Sequence, residues 1–404
     1  MDKKSQHTTL PELKDTDLCV FCGMCLPHCP TYSVYQNEAE SPRGRISLIQ
    51  AYARGMLEID SRAYEHLDHC LGCMACEAMC PSKVPYGRLL NQAKSILHPG
   101  SSSFILNRIL EANTKQNGVD RFRFISSLLN KTGLISIAGK LPGKQIRAAS
   151  QIISSCNPVK LDSIYTAQEP VGSILLFTGC MSQSYDGQAL EDSIKLLNYY
   201  GFNVHVPQDQ YCCGAMHSHN GQADKASELE TKNRELFEKT SADTVIYTSN
   251  GCGAHLRSYA SSFKTIDVAS FLIQNTRIQS SDFMPMEDSI MVHESCSSQN
   301  KLKISGISRQ LLQHIPNMNL LAFQKPNLCC GAGGGHLVSY PELANELLAD
   351  KLSQLQSSSV KYLVSDNLGC SLHYKSGLAK MGLKIEVIHP VTLLAMQLKT
   401  KTKE

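Results

Sequence analysis

Cys19-Val-Phe-Cys22-Gly-Met-Cys25-Leu-Pro-His-Cys29-Pro30 recurs 51 residues on as Cys70-Leu-Gly-Cys73-Met-Ala-Cys76-Glu-Ala-Met-Cys80-Pro81. Both stretches read C-x2-C-x2-C-x3-C-P. Three thiolates two residues apart converge on one metal centre only if the backbone curls around it and turns its N–H groups inward. The spacing is that of bacterial [4Fe–4S] ferredoxins, in which the fourth cysteine serves the other cluster. Cys19, Cys22, Cys25 and Cys80 are therefore expected on one cluster. Cys70, Cys73, Cys76 and Cys29 are expected on the second. Gly23 and Gly72 suit a backbone pressed against a cluster, and Pro30 and Pro81 fix φ just after the fourth ligand. Zinc motifs pair two C-x2-C knuckles across a longer gap, and no C-x-x-C-H is present for covalent haem.

Composition bounds the rest. A chain of 404 residues suggests about two to four domains. A net charge of +3 gives no mandate for nucleic acid. Seventeen cysteines are too sparse for a small disulfide scaffold and fall in metal-like patterns, which points to a reducing compartment. The start, Met1-Asp-Lys-Lys-Ser-Gln-His7, leads into no apolar core, so no secretory signal is read. No apolar run approaches a membrane span. The expected place is the cytoplasm, peripheral at most on the inner face of the cytoplasmic membrane.

The first unit, residues 1–95, holds both loops. Between them, Ser41 can cap and Pro42 can open a helix whose apolar face carries Ile46, Ile49 and Ala53. Arg43 and Arg45 on it either offset the charge of a thiolate-bound cluster or stand as solvated surface charges. Residues 96–165 read as a helical connector. Within it, Phe122, Phe124, Ile125, Leu128 and Leu129, flanked by Arg121, Arg123 and Lys131, form a stripe that could dock a surface, although such stripes more often pack on their own protein. Cys156 stands alone as an incidental thiol.

From Val171 onward strands alternate with helices, and the pattern runs twice, over residues 166–285 and 286–404. Equivalent cysteines are offset by 116 residues (Cys180 and Cys296), 117 (Cys212 and Cys329) and 118 (Cys252 and Cys370). A steady offset with matching elements is an internal duplication, and the alternation predicts parallel α/β units. Each copy offers four thiols: Cys180, Cys212, Cys213 and Cys252, then Cys296, Cys329, Cys330 and Cys370. These lie at strand ends and helix starts, where open α/β folds place ligands. An iron–sulfur cluster, a zinc site and a thiol–disulfide centre all remain open for them. The run Gly331-Ala-Gly-Gly-Gly-His336 is no dinucleotide fingerprint, because the third glycine falls on His336.

Two such loops followed by two Cys-Cys-Gly repeats resemble, over nearly the whole chain, the family that holds the iron–sulfur subunit of glycolate oxidase. Relatives of that family serve lactate utilisation, anaerobic glycerol-3-phosphate dehydrogenases and heterodisulfide reductases. Pro42-Arg-Gly-Arg-Ile46, Ser249-Asn-Gly-Cys-Gly-Ala254, Leu328-Cys-Cys-Gly331 and Asn367-Leu-Gly-Cys370 match the glycolate oxidase branch best. One departure matters. Repeats of the heterodisulfide reductase type end in C-x2-C, supplying five cysteines for a non-cubane cluster. Here the last position is His255 in one repeat and His373 in the other. Either histidine could serve as a ligand or be an ordinary helix residue, and His293 carries the same ambiguity.

The resemblance implies an electron-transfer subunit. FAD-binding partner subunits would oxidise a 2-hydroxy acid, glycolate first and D-lactate second. This chain would pass single electrons through its two [4Fe–4S] clusters toward a quinone-type acceptor, the Cys-Cys-Gly half serving as acceptor site or docking platform. A further iron–sulfur or metal centre could sit in the repeats. The rival readings are the iron–sulfur subunit of a D-lactate or glycerol-3-phosphate dehydrogenase, a stand-alone thiol–disulfide or heterodisulfide reductase, and a zinc-stabilised interaction module.

Overall fold

The computed structural model describes residues 10–97, 104–112, 114, 121, 124–126, 128–129, 131–132, 144–154, 159–240, 242–259 and 263–400. Cys156, Phe122 and Arg123 lie outside them. The first unit is helical. Ser41 Oγ accepts from the Gly44 amide at 2.9 Å and starts helix Pro42–Ala53, with proline at the first position as expected. Ile46, Ile49 and Ala53 turn inward against Leu13, Leu67, Leu89 and Ala93. Helices Ser61–Asp68 and Tyr86–Leu97 complete this core.

The second half contains two sheets. The first runs β1–β3–β2–β4–β5, with β1 Ile164–Tyr165, β2 Gly172–Phe177, β3 Phe202–His205, β4 Thr244–Tyr247 and β5 Lys264–Asp267. The second runs β7–β6–β8–β9, with β6 Ser289–His293, β7 Asn319–Ala322, β8 Tyr362–Ser365 and β9 Glu386–Ile388. The shared order matches the duplication read from the cysteine offsets. All pairs are parallel except β1 with β3. The central strands are apolar on both faces, as parallel strands covered twice must be. Leu176, Ile246, Val292 and Val364 face one core between the sheets, shared with helices Gly187–Tyr199 and Pro390–Met396. Leu175 and Phe177 face a second core in one repeat, and Met291 and Leu363 a third in the other.

Three differences from the sequence reading have simple causes. Residues 164–165 of the expected connector form β1, a strand too short to show a period. The step from β6 to the next helix, expected as strand then helix, passes through a π-helical turn, Ser297–Leu302, before helix Ile307–Leu312. The break falls at Lys303 and Gly306, with φ of +60° and +86°. Finally, Phe124, Ile125 and Leu128 of the connector stripe are exposed rather than packed on their own chain.

Candidate functional site

The two N-terminal loops interdigitate. One cavity is lined by Cys19, Cys22 and Cys25 of the first loop together with Cys80 of the second, and Cys76 also reaches it. A neighbouring cavity gathers Cys70, Cys73 and Cys76 with Cys29 from the first loop. Gly23 and Gly72 adopt φ of +81° and +62°, a region glycine enters without strain. Burial pushes the free thiols of Cys19, Cys25 and Cys76 above their usual range. Stable thiolates at these positions therefore call for a cation bonded to them, and the donor set suits iron–sulfur clusters.

The two arginines behave differently. Arg45 is fully buried. It pairs with Glu40 at 2.7 Å and donates to Thr31 Oγ1 at 3.0 Å. Burial works against its charge, yet Tyr86, Cys70, Cys29 and Glu40 beside it hold it protonated. Glu40 also bonds His66 and His69 at 2.6 and 2.8 Å. Arg43 is partly exposed, caught by Glu38 at 2.6 Å and by the Phe21 carbonyl at 3.2 Å. Arg45 is thus a buried counter-charge beside Cys29 and Cys70, not a solvated one. The Glu40–His66–His69 network was missed from the sequence because its members lie up to 29 residues apart.

The eight repeat cysteines share one cavity of about 210 Å³, lined by both repeats together with Leu71 of the second loop and Leu106 and Leu110. The repeats meet there through equivalent loops. Asn367 Oδ1 accepts from the Gly251 amide at 2.8 Å, and Asn250 donates to Ser298 Oγ at 3.1 Å. Each Cys-Cys-Gly turn closes alike: the Gly214 amide points at Cys212 Sγ, and the Gly331 amide at Cys329 Sγ, both at 3.5 Å. A Cβ on Gly331 would stand 2.6 Å from the Ala344 carbonyl oxygen, so only glycine fits. Cys180 and Cys212 lie 3.6 Å apart, and Cys330 and Cys370 3.0 Å. Donation from Cys180 and Cys213 holds the Cys212 thiol below its usual range.

Cys73 of the second loop packs in one buried group with Leu71 and Cys329, and Cys296 borders it. Asn300 donates to the Cys73 carbonyl at 2.9 Å. The glycine-rich run makes room for this contact, since a Cβ on Gly333 would meet Leu71 at 2.6 Å. The second four-thiol cavity therefore abuts the second repeat directly. The three ambiguous histidines separate. His373 lines a different pocket, with Lys144 and Arg147. His255 points its Nε2 toward Gly214, and burial keeps its ring neutral, with a pKa lowered to about 4. His293 stands with Cys330 and Cys370, their donor atoms all within 4.8 Å of one another.

Known families share this arrangement. A 4Fe-4S dicluster domain matches residues 15–84, and a cysteine-rich domain matches residues 174–257 and again 290–375. The probable glycolate oxidase iron–sulfur subunit of Bacillus subtilis is 31% identical over 415 residues, covering 93% of this chain and 92% of that one. The glycolate oxidase iron–sulfur subunit of Escherichia coli is 26% identical, covering 89% of each. A CoM/CoB fumarate reductase subunit from Methanothermobacter marburgensis is 26% identical, covering 94% of this chain and 71% of that one. The chain belongs to the family of glycolate oxidase iron–sulfur subunits.

Proposed function

We propose that this chain is the electron-transfer subunit of a complex that oxidises glycolate to glyoxylate. FAD-binding partner subunits carry out the substrate step, and a quinone-type molecule receives the electrons. The observation that carries this reading is the contact between the second four-thiol cavity and the second repeat, where Cys73 packs on Cys329. It joins the two halves of the chain at their thiols. Iron–sulfur clusters, when bound, supply one-electron transfer; a hydride from carbon goes to a flavin.

The chain's own residues set the environment. In this reading Cys19, Cys22, Cys25 and Cys80 hold one cluster, and Cys70, Cys73, Cys76 and Cys29 the other. Arg45 offsets negative charge beside Cys29 and Cys70. The shared cavity offers a lipophilic acceptor the apolar side chains of Leu106, Leu110, Met216 and Val338. His219 lies on its wall, 3.4 Å from Lys301 Nζ. Burial and Lys301 keep His219 neutral, so its ring can donate to an acceptor carbonyl. Among the described residues no helix is long and apolar enough to cross a membrane, so a membrane-borne quinone would be reached from the surface or through a partner.

The test is reconstitution. The purified chain alone should reduce no dye with glycolate. Adding its flavoprotein partners should restore glycolate-dependent reduction, and D-lactate should serve less well. Glycolate-dependent activity of the chain alone would refute the division of labour. Preference for D-lactate would move the chain to the lactate branch.

A second expectation concerns the first cavity. Anaerobically purified protein should hold about eight iron and eight sulfide at the N-terminal loops, as two four-iron clusters require. Cys25→Ser should lose or convert one of the two, read by iron analysis and visible absorption. Zinc in place of iron at these loops would refute the assignment.

A further inference from the structure

Among the buried positions at which the two repeats differ, matched by their cysteines, two lie beside the second repeat's thiols and change charge or ligation. Phe177 ends β2 three residues before Cys180; His293 ends β6 three residues before Cys296. Phe177 packs edge-on against Phe237 at 6.0 Å, an ordinary core contact. His293 is 2% exposed; like His373, it has no hydrogen-bond partner among the described residues at either ring nitrogen, but His293 is the one grouped with two thiols. A buried imidazole with both nitrogens unbonded carries a desolvation cost that a bonded partner would remove. Its neighbours explain the orientation but not the donors: Tyr374 lies edge-on at 5.0 Å and Phe323 at 6.2 Å. The groups within reach of its nitrogens are Cys330 Sγ and Cys370 Sγ.

The second position lies on the helix after the Cys-Cys-Gly turn. Ala226 and Ala344 occupy equivalent places there, each with its carbonyl against the glycine of the turn. Seven residues on from each stand Asn233 and Lys351. Asn233 is a neutral strut that holds the Tyr211 amide at 3.0 Å and donates to the Cys212 carbonyl at 3.1 Å. Lys351 is 1% exposed. Its ammonium sits 4.4 Å above the Phe323 ring and 3.4 Å from the Lys325 carbonyl, and among the described residues it forms no ion pair with a carboxylate. Burial lowers the Lys351 pKa, and Cys330, Cys329, Cys370 and Asp350 beside it favour the cation against that. A buried cation calls for a buried anion, and the groups beside this one that can become anionic are mainly thiols. At these two positions repeat 1 has neither an imidazole nor a cation, with Phe177 and Asn233 in their place.

We propose that the second repeat, and not the first, holds a metal centre bonded by His293, Cys330 and Cys370, with Lys351 offsetting the charge of its thiolates. One imidazole with two or more thiolates selects a borderline-soft ion, zinc or iron. Both cysteines also face the shared cavity, so the centre has an open side toward it. Cys296 and Cys329 continue the thiol row from that point to Cys73. His255 and His373 take no part. The proposal does not depend on glycolate or on the flavoprotein partners.

The probe is the metal itself. Iron and zinc per chain are measured on the full-length protein, purified anaerobically, for the wild type and for His293→Phe. That variant installs the residue which repeat 1 already accommodates at the same place. The wild type is expected to carry metal above the iron of the N-terminal loops, and His293→Phe to lose all of that excess while the visible absorption of those loops is unchanged. Excess zinc would make the centre structural, and excess iron would make it redox-active; either supports the site. Should His293→Phe not fold, Cys370→Ala is compared with its repeat-1 equivalent, Cys252→Ala, with loss expected in the first alone. Wild-type protein without excess metal, an excess retained in His293→Phe, or equal loss in Cys252→Ala and Cys370→Ala would overturn the proposal.

Discussion

Replacing Cys329 by serine is expected to cut electron transfer through the assembled complex by about 10- to 100-fold, with the N-terminal iron retained. Cys329 is the residue at which the two halves of the chain meet. It packs on Cys73 and Leu71, and its own Sγ receives the Gly331 amide at 3.5 Å. Serine keeps the shape of the turn and the hydrogen bond but not the polarisable sulfur. Cys73, Cys329 and Leu71 are all buried, and that burial pushes the Cys73 thiol above its usual range. The measurement is glycolate-dependent dye reduction by the reconstituted complex, with iron analysis of the same sample. Cys252→Ser in the first repeat, away from the Cys73 contact, is the comparison. If Cys329→Ser kept full activity, the junction would be packing alone and the repeats only a scaffold.

The sequence made some of this legible because the information was local. Spacing within a twelve-residue loop dictates which thiols can curl around one centre, and two neighbouring cavities gather the eight cysteines, with Cys76 lining both. The steady offsets announced two copies of one unit, and the two sheets share one strand order. What was not legible was the packing between units. No local pattern says that eight thiols from two repeats face one cavity, or that Cys73 meets Cys329, 256 positions later in the chain. The histidines make the same point. His255, His373 and His293 were equivalent on paper. Only the helix face of the first two and the strand end of the third separate them. Arg45 was undecided for the same reason: its burial follows from Glu40, Thr31 and His66 closing around it, and none of these is its sequence neighbour.

The same junction has a polar latch, and breaking it is the second large effect expected. Asp68 ends helix Ser61–Asp68, two residues before Cys70. Its carboxylate pairs with Lys94 Nζ at 2.9 Å and accepts from the Tyr340 hydroxyl at 2.8 Å. Lys94 also donates to the His219 carbonyl at 3.3 Å. One buried pair thus ties the N-terminal unit to both repeats. Burial alone would raise the Asp68 pKa, but Lys94 and Tyr340 outweigh it and hold it down to about 2. A depressed carboxyl stabilises the fold above its unfolded pKa, near 4, and the contribution is lost as pH falls toward 2. Asp68→Asn leaves the Lys94 ammonium buried without its counter-charge, which costs about 3–5 kcal/mol. The expected result is a large drop in the urea midpoint at pH 7, measured anaerobically, with the gap to wild type closing as pH falls from 4 toward 2. Joining Asp68→Asn to Lys94→Met removes the stranded charge, so the double variant should be more stable than Asp68→Asn. A double variant that added the two losses would mean that the pair acts as two independent contacts, and the latch would lose its electrostatic basis.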